Sequence, residues 1–304
     1  MASNASSGHK LGQIIGDWFE EYVALPILYS VANDLNLFLD SRFIRRTCRG
    51  EKITWADQDG NIVDYDFVME LAGSDTKKGI PIGFFETFWR RGSRHSKDKA
   101  RDDSGKLVPM RQTYPTSRFL GILSAGDFTR PAQELVTSRS IDLFYIPKNL
   151  IISSWEKNGL TIDYPDDLPE EKKSALVASV SSRIEDTEFL TNIAKDLADL
   201  VGDQVLQNYK SRLKYSISAP PMIYEITPIF IGEKRKFSKH DEIDDFLNSL
   251  KNISAEENKF KEMVSYNVVF GDGTIFVREK ISTEEALELH KSVGEVQTHF
   301  ATLI

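Results

Sequence analysis

One cysteine, Cys48, occurs in 304 residues, and that scarcity excludes an intramolecular disulfide and any cysteine-based zinc site. A lone thiol fits a reducing cytoplasm, the expected location. Long apolar runs are also missing: none approaches the roughly 20 residues that a membrane-crossing helix needs, so no membrane partner is expected. The first ten residues, MASNASSGHK, lack the apolar centre of a signal peptide and read as a disordered leader. No glycine-rich strand–helix junction of the dinucleotide-binding kind is present, which argues against a metabolic α/β enzyme. Gly271-Asp272-Gly273 has no Lys-Ser/Thr after it and reads as a hairpin turn, not a phosphate loop.

What is present describes an ordinary globular chain, 40% hydrophobic and 28% charged, long enough for one large domain or two smaller ones. The formal net charge of -8 argues at first against a nucleic-acid partner. The distribution says otherwise. Between Arg90 and Arg111 stand eight Lys/Arg and three Asp, whereas Glu156 to Asp203 holds twelve acids and five bases. Phosphate binding needs one basic face and not a basic protein, although a charge run is more often a solvated helix face.

Helical spacing of apolar residues predicts a helix over Leu11–Leu37, kinked or divided at Pro26. Phe43–Ile44, Ile53–Trp55, Ile62–Leu71 and Ile80–Trp89 read as strands, the third preceded by the turn Asp57–Gly60. Ser93 to Asp103 reads as a helix capped by Ser93 or Ser96, with Gly105 and Pro109 interrupting its continuation. Phe119–Ser124 and Ile141–Ile146 are buried strands on either side of an amphipathic helix, Thr129–Ser138. Consecutive strands followed by strand–helix–strand alternation imply an α/β fold, a mixed central sheet flanked by helices. Beyond Pro147 the pattern becomes helical from Leu168 to Leu213. A strand at Ile223–Ile231, a helix at Glu242–Leu250, a hairpin over Tyr266–Val277 and a helix capped at Ser282 follow. The expected organisation is a leader over 1–10, a core over 11–155, and a helical and α+β region over 156–304 serving dimerisation or target recognition.

The stretch from Val63 to Asp103 carries the chemistry. An unpaired ionised carboxylate is costly in an apolar layer, yet Asp64 and Asp66 lie on one strand and Glu86 on the next. Strand residues alternate faces, so Asp64 and Asp66 of Ile62–Leu71 point the same way and Glu86 can meet them from the adjacent strand. Carboxylates so placed, with cations close behind, suit a Mg²⁺ ion acting on a phosphodiester. Asp64 reads more readily as a strand-edge residue facing solvent. The bland alternative for Asp66 and Glu86 is a pair of salt bridges to Arg90 or Lys97.

These residues, VDYD around Asp66 and FFETF around Glu86, together with the element order, resemble the PD-(D/E)xK nuclease superfamily, which includes most type II restriction endonucleases. ETFWRRGSRHSKDKA is also similar to a segment of uncharacterised bacterial members. The resemblance covers residues 11 to 147. It implies a core of a helix, a three-stranded meander, a helix, a strand, and a further helix and strand. It also implies Asp66 and Glu86 as ligands of Mg²⁺, with Mn²⁺ a possible substitute. The superfamily's lysine two residues beyond the second acid is missing, since Phe88 stands there. Members can supply it from the following helix, which puts forward Lys99, then Lys97, with Arg90 a third candidate. Several members add a glutamate from the first helix, here Glu20, with Glu21 and Asp17 as neighbours. The implied activity is that of a DNA endonuclease of the restriction type acting on double-stranded DNA as a homodimer. The rival is a DNA-recognition subunit of the same fold that has lost its catalytic cation, and the absent lysine is its support.

Arg90, Arg91, Arg94 and His95 are expected on DNA phosphates, His95 there or facing solvent sooner than as a general base. Arg45 and Arg46, in a second basic cluster with Arg42 and Arg49, are expected to do the same. Trp18 and Trp89 read as core and not as stacking platforms.

Overall fold

A computed structural model describes residues 6–251 and 263–303. The first helix begins earlier than expected. Ser7–Lys10, expected in the leader, form the first turn of α1 (Ser7–Phe19), capped by the Ser6 hydroxyl; residues 1–5 lie outside the described residues. The long N-terminal helix is divided by a π-helical turn, Glu20–Ala24, before α2 (Leu25–Asp34), and Pro26 sits harmlessly in the first turn of α2. π-turns are rare and concentrate at functional sites.

The central sheet has five strands in the order β1-β4-β5-β6-β7. β1 (Phe38–Ser41), β4 (Phe67–Leu71) and β5 (Ile80–Arg90) run antiparallel, and β6 (Phe119–Gly126) and β7 (Asp142–Pro147) continue parallel to β5. The fold is therefore α/β with a mixed central sheet flanked by helices, as expected. β5 is buried from Pro81 to Trp89 because both its faces are covered, which accounts for its unbroken apolar run. Phe67, Phe85 and Trp89 pack toward α1 and α2. Phe84, Phe88 and Ile122 pack on the opposite face toward α3 (Ser96–Thr113) and α4 (Arg130–Ser138).

The expected strand Ile62–Leu71 is two strands. β3 (Ile62–Tyr65) pairs with β2 (Ile53–Ala56) in a separate hairpin, and the chain bends at Asp66 before β4 joins the central sheet. Asp64 and Asp66 consequently share no strand face. Asp64 instead meets Lys52 at 3.2 Å on the hairpin edge. Phe43–Ile44 is not a strand; β1 precedes it.

Helix α3 also departs from expectation. It runs unbroken through Gly105 and Pro109, starting at Ser96 after a left-handed His95 (φ 64°), and neither Ser93 nor Ser96 caps it. An interior proline forgoes a hydrogen bond and crowds the carbonyl four residues back, which here belongs to Gly105. Ala100, Leu107 and Met110, all fully buried in the second core cluster, hold the helix together across that defect.

After β7, helix α5 (Lys148–Lys157) spans the expected 155/156 boundary. α6 (Glu170–Ser181), α7 (Thr187–Val201) and α8 (Asp203–Ile217) join the same core cluster as α1 and α2. A four-stranded antiparallel sheet of β8 (Pro221–Pro228), β9 (Arg235–Phe237), β10 (Met263–Phe270) and β11 (Ile275–Ser282) has its own core with α9 (Asp241–Lys251) and α10 (Thr283–Ala301). Ser282 caps α10 by accepting from the Glu285 amide at 3.0 Å.

Candidate active site

The register places the two key acids. Phe67 of β4 is opposite Phe85 of β5, so Asp66 lies one step beyond that pair, beside Glu86 and Thr87. The bend turns its carboxylate back onto β5, where Oδ2 accepts from the Thr87 amide at 2.6 Å and the Thr87 hydroxyl at 2.9 Å. Thr87 and Glu86 belong to opposite faces of the strand. Asp66 thus stands at the strand end with Glu20 on one side and Glu86 on the other, and its charge acts on both.

Glu86 is buried, and burial first, then the charges of Asp66 and Asp103, push its carboxyl well above the usual range. Its partner is Lys106, whose Nζ lies 3.3 and 3.2 Å from the two carboxylate oxygens. Burial and Asp66 likewise push Glu20 up to about 7, against the opposing pull of Arg42, whose Nε donates to Glu20 Oε1 at 2.8 Å. Asp103 is fully buried on α3. It accepts from Lys99 Nζ at 2.7 Å through Oδ1, while its Oδ2 has no hydrogen-bond partner among the described residues.

The cation paired with Glu86 is none of the expected Lys99, Lys97 and Arg90 but Lys106, further along α3. Lys99, Asp103 and Lys106, at positions i, i+4 and i+7, form one stripe of α3 facing β5. Lys99 is bound to Asp103 yet sits 5.7 Å from the ring centre of Phe88. Lys97 is exposed and makes no ion pair among the described residues. Asp66 and Glu86 make no salt bridge to Arg90 or Lys97. The spacing of Lys99, Asp103 and Lys106 is the signal in the sequence, masked by Gly105 and Pro109, which read as interruptions of the helix.

The basic residues divide. Arg90 is half-buried and Arg94 exposed, and neither makes an ion pair among the described residues. With the half-buried Arg91 and with His9 they line an open pocket containing no carboxylate. Arg91 is occupied by Asp166 and the Tyr164 carbonyl, and exposed His95 lies 3.2 Å from Asp98. Arg45 is exposed. Arg46, expected on DNA, is instead buried, with Nη1 2.6 Å from both Asp40 and Glu70 and further bonds to the carbonyls of Ser74 and Lys77. It closes the end of the sheet between β1 and β4. Arg49 joins the same group through Asp40 at 2.7 Å. Trp18 and Trp89 are core, as expected.

Glu20, Asp66, Glu86 and Asp103 are the donors available for a divalent ion at this end of the sheet. Their mutual repulsion and the unsatisfied Asp103 oxygen fit a group that needs added positive charge, although no three of them bring ligand atoms within 4.8 Å of one another. Among the described residues, only His240, Asp244 and His290 do so. That trio is poorly disposed for a metal. The two imidazoles are stacked at 3.6 Å, and both nitrogens of His290 are engaged, by Tyr266 Oη and by the His240 carbonyl. No family model, curated protein or solved structure matches the chain.

Proposed function

We propose that the protein is a Mg²⁺-dependent endodeoxyribonuclease of the PD-(D/E)xK type, acting as a restriction endonuclease on double-stranded DNA. The observation that carries the reading is Glu86 of β5 held by Lys106 of α3, with Asp66 at the adjoining strand end. The order α1, meander β1-β4-β5, α3, β6, α4, β7 agrees with the core that the superfamily resemblance implies.

Asp66, Glu86 and Glu20 are the residues that would hold Mg²⁺ or Mn²⁺, with Asp103 close to Glu86. Once bound there, the ion supplies charge to the phosphoryl group and a nucleophilic water at neutral pH. Thr87 fixes the Asp66 carboxylate through two hydrogen bonds, so its orientation is set before substrate arrives. Lys106 offsets the charge of Glu86 and, about one-third exposed, remains open to a phosphate oxygen or an attacking water. Lys99 does the same for Asp103. The exposed Arg94 and His95, with Arg90 and Lys97, follow the phosphates of the duplex, and cleavage of both strands at a symmetric site calls for a homodimer.

A second reading, a DNA-recognition subunit that does not cut, is favoured by the same contact. Lys106 engages both Glu86 oxygens, and an ion would have to share them. The deciding experiment is incubation with supercoiled and linear DNA in Mg²⁺, Mn²⁺ or EDTA. Metal-dependent nicking or linearisation that Glu86→Ala loses supports the nuclease. Retarded but intact DNA in every metal supports the recognition subunit and refutes cutting.

A further inference from the structure

Where the segment leading into β6, the connection from α8 to β8, the end of β10 and α10 meet, there is an apolar cavity of about 150 Å³. Thr116, Phe270, Val293, Val296 and Phe300 line it, and so does Arg118. Arg118 is an unusual wall for such a space. Its side chain is 5% exposed, its guanidinium lies 3.4 Å from the Phe270 ring centre, and Nη2 donates to Asp272 Oδ1 at 2.8 Å. Nε is buried with no hydrogen-bond partner among the described residues. A buried donor on a charged group is costly when unmet.

Behind Arg118, outside the cavity's own lining, stand Arg111, Asp142 and Asp272. Arg111 acts on Arg118 as a second cation, and its own bonds go to the backbone carbonyls of Arg139 and Ser140. Asp272 is the carboxylate acting on both arginines, and its Oδ1 also accepts from the amide and hydroxyl of Thr274. Burial lowers the affinity of Arg118 for its proton, to about 10, which still leaves it charged at neutral pH.

We propose that this cavity binds a small monocarboxylate with an aromatic or branched apolar body, its carboxylate on Arg118 and its body among Phe270, Val293, Val296 and Phe300. An apolar cavity near 150 Å³ accommodates one benzene-sized ring. A buried guanidinium that shares one carboxylate oxygen and has Nε unmet among the described residues selects an anionic head group over a neutral one. Because the walls come from both the central-sheet unit and the C-terminal sheet and helix, the occupant joins the two. The inference is independent of the nuclease reading.

Benzoate is the probe, with benzyl alcohol as its neutral counterpart. Benzoate should raise the melting temperature of the full chain in a saturable way, with an affinity roughly tenfold or more above that of benzyl alcohol, as a charged hydrogen bond implies. Val296→Phe fills the cavity and should abolish the response while the circular dichroism spectrum is kept. In the unaltered protein, intermolecular NOEs should connect the benzoate ring to the methyls of Val293 and Val296, a readout that needs no variant. The proposal is overturned by no response to millimolar benzoate, by equal responses to benzoate and benzyl alcohol, by a response that survives in folded Val296→Phe, or by absent NOEs at saturation.

Discussion

Lys106 and Glu86 meet across the junction of α3 and β5 with the ammonium almost equidistant from the two carboxylate oxygens, at 3.3 and 3.2 Å. The contact ties the last half of a helix to the centre of a buried strand. On the nuclease reading, Lys106 is the cation that would take the role of the lysine absent at Phe88. If the protein cuts DNA as proposed, Lys106→Ala should lower the nicking rate by about 10²-fold or more, the scale of losing one charge-stabilising group. Lys97→Ala should leave it within a few-fold, and Lys99→Ala should fall between. Plasmid nicking under single-turnover conditions measures this. A Lys106→Ala enzyme of ordinary rate beside an inactive Lys97→Ala would reverse the assignment.

If Asp66 and Glu86 hold the ion, metal should stabilise the fold through them. At ten times its dissociation constant, Mg²⁺ adds about 1.4 kcal/mol by mass action. The melting temperature should therefore rise with Mg²⁺ and return with EDTA, and neither change should occur in Glu86→Gln or Asp66→Asn. A rise of the same size in both variants would move the ion elsewhere.

Much of this arrangement is legible from residue types alone, and what is not has physical causes. The unbroken apolar run of β5 with Glu86 inside it reads directly, because a strand buried on both faces has no other signature. The break at Asp66 does not, since Ile62–Leu71 satisfies strand patterning throughout and only pairing partners reveal two sheets. Lys106 is hidden because Gly105 and Pro109 are poor helix residues whose cost is met by the burial of Leu107 and Met110. Arg46 misleads for a related reason: a run of arginines carries no mark of which one will be enclosed by Asp40 and Glu70, residues 6 and 24 positions away.

Arg46 gives a prediction that separates stability from DNA binding. Its side chain and those of Asp40 and Glu70 are wholly buried, so removing the cation leaves Glu70 without its ion-pair partner and Asp40 with Arg49 alone. Arg46→Ala should cost about 3–5 kcal/mol in urea unfolding, the range for breaking one side of a buried ion pair. Arg45→Ala, at an exposed neighbour, should change stability by no more than about 0.5 kcal/mol. An Arg46→Ala protein of normal stability but weakened DNA affinity would return this residue to the DNA surface.

His290 sets the acid limit of the C-terminal unit. It is fully buried, stacked on His240, with Tyr266 Oη 3.0 Å from Nδ1 and the His240 carbonyl 3.0 Å from Nε2. Desolvation first, then the neighbouring His240, lower its pKa from 6.5 to about 4. Between those values the unfolded chain holds a proton that the folded chain refuses, so stability rises with pH across that window. The contribution is complete above pH 6.5 and is lost as the solution is acidified toward pH 4, by at most about 1.4 kcal/mol per pH unit. His290→Phe removes the titrating group and should flatten that slope in urea unfolding measured from pH 4.5 to 7.5, while lowering stability at pH 7.5 through the lost Tyr266 and His240 bonds. The pairing of a flatter slope with a lower plateau distinguishes titration from simple loss of packing, which would lower the curve and leave its slope unchanged.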